Sequence, residues 1–295
     1  MDSVQIPFMI DCLSYVFENV VTKMEKVGEV WSEVAKQYHE RMFSAVITVF
    51  YPDIPNEFYI HCMKRGRDGK YHPWRREFWP LEHAFARIEF LGIYGIKMKQ
   101  RFMIPEDIVQ AMHLLSITPA EPKSTLLFKD LAALNERTDV NRMVLPSSIH
   151  LGYERVKFQN IAQPNLYFFE DLCTNIYAYS KVDSMEFYNF PLGRLAFLDP
   201  LENYQNSCMQ LITDSASAEI DRVVVKVFEK FWTDPKFYKG RFFHVTASFA
   251  SRQALKDLME LHKKKRCRSI ECDICKDDFD VENCSLEKIR VVNKC

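Results

Sequence analysis

The residues of this chain whose types and spacing could do chemistry are the cysteines of its C-terminal part. Residues 271–284 read ECDICKDDFDVENC, so Cys272 and Cys275 form a Cys-x-x-Cys pair that Cys284 follows nine residues later. Thiolates at such intervals are ligands of structural zinc, and one tetrahedral site needs four ligands. The candidates for a single zinc ion are Cys267, Cys272, Cys275, Cys284 and Cys295, with His262 nearby in the sequence.

A terminal β-hairpin is the alternative interpretation of the same residues. A complete RING is not expected, because neither a second Cys-x-x-Cys nor a downstream His follows Cys284 to supply its eight ligands. Ile270, Cys272 and Ile274 alternate with polar residues, which is the period of a half-buried strand, and residues 288–294 could be its partner. Cys272 and Cys275 would then face opposite sides of that strand. We therefore predict no metal and no cofactor, with the single zinc site as the alternative.

Motifs of common enzyme classes are missing from the sequence. It contains no G-x-S-x-G nucleophile elbow, no glycine-rich phosphate loop and no H-E-x-x-H zinc motif. The eight histidines are dispersed, and the acid pair Glu106/Asp107 stands near a predicted helix start, where the helix dipole explains it. We predict a non-enzymatic protein. An active site assembled from distant loops stays the alternative, since a single sequence does not reveal one.

Composition and charge limit the possible partners and location of the protein. The net charge of −1 gives no electrostatic reason to expect nucleic acid or an anionic membrane as partner. The basic run at 262–268 closes a predicted helix, where cations complement the helix dipole. The most apolar run, 43–51, is about half as long as a membrane span requires. Acids at Asp2 and Asp11 do not fit a signal peptide, so we expect a cytoplasmic or nuclear protein with reduced cysteines.

The spacing of apolar residues predicts an α+β or α/β chain with three regions. Residues 1–42 read as a helical pair or a helical triplet, and residues 43–120 as a small α+β region with a β-hairpin around the turn RGRDGK. Residues 121–295 alternate irregularly between helix and strand, with repeats of uneven length. This order is similar to a degenerate leucine-rich-repeat-like sheet, in which each strand adds to one curved sheet. The asparagine ladder of a standard leucine-rich repeat is missing from the pattern.

Aromatic residues around the predicted hairpin suggest an interaction surface. Trp74 and Trp79 lie among several arginines and lysines, as expected for an exposed surface that binds a protein partner. The alternative is that both rings pack inward. The apolar stripe of a predicted helix at 217–232 is assigned to the core.

The N-terminal residues resemble a known family. Ile6, Pro7 and Phe8, followed by short helices and by Trp31, are similar to a degenerate F-box, and the helix-strand alternation that follows is similar to the F-box-like proteins expanded in nematodes. The resemblance implies a helical element that docks on a ubiquitin-ligase adaptor, with Pro7, Phe8 and Trp31 as partner-binding residues. It also implies a larger domain that recognises a protein substrate. A stand-alone binding protein without a ligase link is the alternative.

Overall fold

The computed structural model divides the chain into two units. Unit 1 comprises Met1–Leu126 and Asp139–Tyr153, and unit 2 comprises Leu127–Thr138 and Glu154–Cys295. The residues that the structure describes are 6–14, 16, 18–50, 59–95, 118, 120–130, 153–161, 184–189, 208–214, 216–233, 242–263, 268–272 and 282–293. Both units combine helices and strands, so the predicted class, α+β or α/β, is confirmed. The predicted boundary between residues 42 and 43 falls inside unit 1.

Unit 1 begins with three helices, which is the second of the two arrangements, a pair or a triplet, that the sequence pattern allowed. They are α1 (Ile6–Ser14), α2 (Glu18–Met24) and α3 (Glu29–Arg41). Gly28 precedes α3 with a φ of 61°, a backbone conformation that glycine adopts at little cost. The helices bury a shared apolar cluster whose members are Met9, Leu13, Val21, Val34, Ala35, Tyr38 and Phe85. Because Phe85 lies beyond the helical segment, the three helices pack into unit 1 and do not form a separate body.

A buried arginine fastens the helices to the rest of unit 1. Arg87 is only 3% exposed, and its guanidinium donates hydrogen bonds to the carbonyl oxygens of Leu13 at 3.0 Å and Val16 at 3.2 Å. It also donates to the Tyr38 hydroxyl at 2.8 Å, and that hydroxyl donates in turn to the carbonyl of Ala84. Leu13 lies in the last turn of α1, where the negative end of the helix dipole favours a cation. The hydrogen bonds to the C-terminal end of α1 therefore offset the cost of burying the charged Arg87 side chain.

The strands of unit 1 form the predicted hairpin. They are β1 (Phe43–Phe50), β2 (Tyr59–Arg65), β3 (Tyr71–Pro73) and β4 (Ala86–Tyr94), with β1 antiparallel to β2, β2 antiparallel to β3, and β1 parallel to β4. The turn between β2 and β3 is closed by Gly66 and Lys70, whose N–H and C=O groups lie 2.7 Å apart, and Gly69 takes a φ of 76°. The residues of the turn RGRDGK thus set the register of β2 against β3. A short helix, α4 (Trp79–Glu82), lies between β3 and β4 in the sequence, and the next strand is β5 (Ala120–Lys129), whose residues from Leu127 onward belong to unit 2.

Unit 2 is built on neighbouring parallel strands. β6 (Arg155–Gln159), β7 (Ser184–Tyr188), β8 (Cys208–Thr213) and β9 (Phe242–Ala247) pair in that order, each parallel to the next. The helix α5 (Ala218–Thr233) connects β8 to β9, and α6 (Arg252–Lys263) follows β9. In α5 the buried residues Ile220, Val224 and Phe228 confirm that its apolar stripe belongs to the core. Among the described residues, no helix combines the length and apolar character needed to cross a membrane.

An antiparallel hairpin follows the parallel strands and confirms the predicted terminal hairpin. β10 (Arg268–Cys272) pairs with β11 (Ile289–Asn293), and β11 pairs with β9. Ile289 and Val291 of β11 are buried, and Arg290 between them is only partly buried, which is the alternation of a strand with one face on the core.

A ladder of Asp and Asn side chains joins the strand ends of unit 2. Asp130, Asn160 and Asn189 follow β5, β6 and β7, and each has a positive φ of 47–56°, which Asn and Asp tolerate better than other non-glycine residues. The Asn160 amide donates to Asp130 Oδ1 at 2.9 Å, and the Asn189 amide donates to Asn160 Oδ1 at 3.3 Å. Asp214, after β8, accepts the backbone N–H of Asn189 at 2.8 Å. The sequence patterns did not predict this row of Asp and Asn side chains, which differs from the asparagine ladder of a standard leucine-rich repeat because Asp130 and Asp214 belong to it.

Stacked phenylalanines support the ladder from the core side. Phe128, Phe158 and Phe187 each stand two residues before a ladder residue and are fully buried. Their ring centroids are 5.1 Å and 5.0 Å apart, with interplanar angles of 7° and 14°. The column and the ladder fix the same relative position of β5, β6 and β7, so the side chains on the opposite face of these strands are aligned as well.

Candidate protein-interaction surfaces

The start of α1 presents apolar side chains to solvent, as expected for a docking element. Ile6 is 57% exposed and Phe8 is 58% exposed, and Pro7 between them is also exposed. Met9 and Leu13 of the same helix are buried in the cluster shared with α2 and α3, so α1 is apolar on more than its core side. The exposed isoleucine and phenylalanine side chains both lie in the first turn of α1, where they favour a contact with another molecule.

Trp31 has a different environment from Pro7 and Phe8. Its side chain is only partly exposed and packs against the apolar cluster of the three helices. Val27 and Val30, close to it in sequence, are about half exposed. Of the three residues that the family resemblance marks for partner binding, Pro7 and Phe8 are thus accessible, and Trp31 contributes mainly to packing.

Trp74 and Trp79 are buried, so the predicted exposed aromatic surface is not formed by them. Trp74 is 2% exposed and Trp79 is 6% exposed, and the Trp79 indole N–H donates to the Trp74 carbonyl at 3.0 Å. The Trp74 ring meets Phe43 edge-on, with centroids 5.1 Å apart. Because Trp74 directly follows the short edge strand β3, its ring folds under β1 and fills the core of unit 1. The inward alternative is the correct one.

The cysteine-rich segment is only partly described. Cys272 is the last residue of β10, and the side chain of Cys284 is buried. Cys267, Cys275 and Cys295 lie outside the described residues. Within the described segments, no group of three or more His, Cys, Asp and Glu side chains is arranged to hold a metal ion. Both strands of the predicted hairpin, β10 and β11, are formed. The single zinc site stays the alternative prediction for the cysteines.

The polar face of unit 2 is the second candidate surface. We use this name for the side chains of β5–β9 and β11 that alternate with the buried core residues and point to the opposite side of the strands. On β6 these side chains are Arg155, Lys157 and Gln159, which alternate with the buried Val156 and Phe158. The strand register places side chains of neighbouring strands side by side. One such row contains Lys157, Glu186, Ile212, Thr246 and Arg290.

Glu186 is the most buried charged residue of the polar face. It is 7% exposed, and its carboxylate accepts hydrogen bonds from Lys157 Nζ at 2.7 Å and from the Tyr188 hydroxyl at 3.0 Å. Burial raises the pKa of Tyr188 to about 12, and the neighbouring Glu186 carboxylate adds to this increase. Tyr188 therefore stays protonated at neutral pH, and its hydroxyl donates a hydrogen bond to the Glu186 carboxylate. The three side chains form a pre-organised polar group at the middle of the face.

A second polar pair lies on β9. The Thr246 hydroxyl and His244 Nε2 are 3.0 Å apart, and both side chains are partly exposed. The register aligns His244 with Gln210 and Thr246 with Ile212. Polar and charged groups thus continue across several strands, as expected for a face that contacts a partner through hydrogen bonds and ion pairs.

Asp221 is another buried acid, and its contacts are structural. Its two carboxylate oxygens accept the backbone N–H groups of Ala250 at 3.0 Å and Ser251 at 2.8 Å, which lie just before α6. Burial raises the pKa of the carboxyl group, although these two hydrogen bonds oppose the increase. Both oxygens are therefore used in joining α5 to the start of α6.

The polar face and the ladder were missed by the sequence analysis, although a signal exists. The segments LLFKD at 126–130, VKFQN at 156–160 and MEFYN at 185–189 share an apolar residue, then Phe two positions later, then Asp or Asn after two more. A search for an obligatory asparagine overlooks this pattern because Asp130 and Asp214 replace the amide at both ends. Searching for Phe-x-Asn/Asp at intervals of about 30 residues would have found it.

Comparisons with known proteins found no match for this chain. No protein-family model matches the chain, and the searches of curated proteins and of solved structures returned no match either.

Proposed function

We propose that the chain is a non-enzymatic protein-interaction protein that acts as a substrate-recognition subunit of a ubiquitin ligase. In this proposal the helices α1–α3 bind the ligase adaptor through Pro7 and Phe8, and the polar face of unit 2 binds the substrate protein. The observation that carries the docking part is the exposure of Phe8, which is 58% although the same helix buries Met9 and Leu13.

The contacts of Arg87 support a docking role for α1. A short helix is only marginally stable by itself, and α1 has nine residues. The bonds from Arg87 to Leu13 and Val16 hold its C-terminal end, so that the N-terminal end with Pro7 and Phe8 is presented on a rigid support. Rigid presentation lowers the entropic cost of binding a partner.

The polar groups of unit 2 support recognition over catalysis. Glu186 is engaged by Lys157 and Tyr188, and Asp221 by two backbone N–H groups, so these buried acids have structural partners. A general acid or base needs a proton-transfer path to a substrate, whereas these carboxylates are occupied. Partly exposed side chains in aligned rows suit a protein partner.

Phe8→Asp is expected to weaken binding of the purified ligase adaptor at least tenfold. The substitution places a charge in an apolar contact and does not disturb the core, since Phe8 is largely exposed. Leu81→Asp is the matched control: Leu81 is 72% exposed in the same unit but lies outside α1–α3, so this variant should bind like the wild type. Isothermal titration calorimetry with the full chain measures all three affinities.

Two results would contradict the ligase part of the proposal. One is a wild-type chain that does not bind the adaptor, and the other is a Phe8→Asp variant that binds as well as Leu81→Asp. In either case the stand-alone binding protein becomes the better account, because the polar face of unit 2 does not depend on the adaptor.

A further inference from the structure

Two cations on the polar face of unit 2 have no ion-pair or hydrogen-bond partner for their side chains among the described residues. Lys129 is the last residue of β5, and Arg155 is the first residue of β6. Lys157, between them on the face, forms an ion pair with Glu186. In the part of the chain that the structure describes, Lys129 and Arg155 form neither an ion pair nor a side-chain hydrogen bond, and Arg155 is exposed. Their charges are available to a ligand.

The ladder fixes the positions of these two cations. The Asp130 N–H donates to the Gln159 carbonyl in the same way as the Asn160 N–H donates to the Tyr188 carbonyl, and both distances are 3.0 Å. In the second bond, the donor Asn160 follows Gln159, and Gln159 is the register partner of the acceptor Tyr188. By the same rule, the first bond makes Lys129, which precedes the donor Asp130, the register partner of Gln159. Arg155 lies four residues earlier on β6, so the Cα atoms of the two cations are roughly 14 Å apart at ordinary strand spacings.

We infer that this edge of the polar face binds an extended acidic segment of a protein partner. An extended chain spans roughly 14 Å in four residues, so carboxylates at positions i and i+4 of such a segment match Lys129 and Arg155. Arginine binds a carboxylate through two parallel hydrogen bonds, which gives the contact geometric specificity. Lys157 and Gln159 lie between the two cations and contact the middle of the segment.

The distribution of charge favours an acidic peptide over nucleic acid. A nucleic acid carries closely spaced phosphates and is normally bound by a continuous row of cations, often with stacked aromatic side chains. The Glu186 carboxylate on the same face and the Asp214 carboxylate just after β8 would repel a continuous phosphate backbone. Lys129 and Arg155 are separated along the face, and Lys157 is already neutralised by its ion pair with Glu186. This arrangement suits a ligand with two separated carboxylates.

The inference rests on the proposed interaction function, and its test uses a different surface from the adaptor test. The probe is a short labelled peptide of extended, uncharged residues that contains two glutamates four positions apart. We expect it to bind the full-length wild-type chain at low ionic strength and to lose at least tenfold in affinity for Lys129→Glu/Arg155→Glu. Arg222→Glu, a charge reversal at an exposed position of α5, should bind the peptide like the wild type. Fluorescence anisotropy measures each affinity.

The peptide series also separates the proposed ligand from simple charge attraction. Replacing both glutamates by glutamine should abolish binding, and moving them to adjacent positions should weaken it several-fold. The inference is overturned if the glutamine peptide binds as well as the glutamate peptide, if the double variant keeps its affinity, or if a single-stranded oligonucleotide of equal charge binds more tightly. Circular dichroism of the Lys129→Gln/Arg155→Gln variant verifies that neutralising the cations leaves the fold intact. Loss of adaptor binding by Phe8→Asp would leave all these outcomes unchanged.

Discussion

Phe158→Ala is expected to lower the free energy of unfolding of unit 2 by about 3–5 kcal/mol. Phe158 is fully buried and lies between Phe128 and Phe187, with centroid distances of 5.1 Å and 5.0 Å. Its loss leaves a cavity between two rings and removes both stacking contacts, each worth about 0.5–1.5 kcal/mol beyond the buried area. Denaturant unfolding followed by circular dichroism measures the change, with the two units allowed to unfold in separate transitions.

Two further variants make this result interpretable. Phe158→Leu keeps most of the volume and should cost about half as much or less. Phe78→Ala is the matched control, because Phe78 is 44% exposed and should change the free energy of unfolding by no more than about 0.5 kcal/mol. If Phe158→Ala were as mild as Phe78→Ala, the stacked column could not be what fixes β5, β6 and β7 in register.

Arg87→Met is expected to destabilise unit 1 by about 3 kcal/mol or more, because buried hydrogen-bond acceptors cost about 1–3 kcal/mol each when they lose their donor. The carbonyls of Leu13 and Val16 and the hydroxyl of Tyr38 would lose the guanidinium that now bonds them. Methionine retains much of the apolar volume, so the effect reports mainly the lost bonds. Denaturant unfolding gives the free energy, and hydrogen exchange of residues 6–24 shows where the structure loosens.

The control for this prediction is Arg75→Met. Arg75 is exposed, and its weak ion pair with Glu77, at 3.9 Å, is of the kind that contributes little to stability. We expect this variant to match the wild type in unfolding and in hydrogen exchange. If hydrogen exchange of residues 6–24 were unchanged in the Arg87→Met variant, Arg87 could not be the residue that holds α1 against the rest of unit 1. The account also predicts that Arg87→Met weakens adaptor binding although Phe8 is intact.

Local sequence signals predicted the parts of the fold that depend on local chemistry. The turn RGRDGK contains the glycine that a positive φ requires at Gly69, so the hairpin could be predicted from sequence. The apolar stripe of α5 likewise predicted a core helix. The sequence left open whether residues 1–42 form two helices or three, because apolar spacing continues through Val16, Val20 and Val21. Periodicity alone does not mark the end of α1 at Ser14.

Long-range packing decided the features that sequence patterns did not predict. Trp74 lies next to an edge strand, and its contacts with Phe43 and Trp79, which are distant in sequence or in the following turn, hold the ring inward. The ladder depends on hydrogen bonds between residues about 30 positions apart, and two of its four members are aspartates. The polar face became visible only when strand register aligned Lys157 with Glu186. Candidate surfaces of this kind require the structure because no single segment contains them.

Lysine footprinting tests most directly whether the polar face of unit 2 is the recognition surface. The full chain is acetylated with and without the two-glutamate peptide, and mass spectrometry measures the labelling rate at each lysine. We expect the peptide to slow labelling of Lys129 at least several-fold and to leave the exposed Lys36 of α3 unchanged. Equal labelling of Lys129 with and without bound peptide, or protection of Lys36 instead, would contradict the assignment of the polar face.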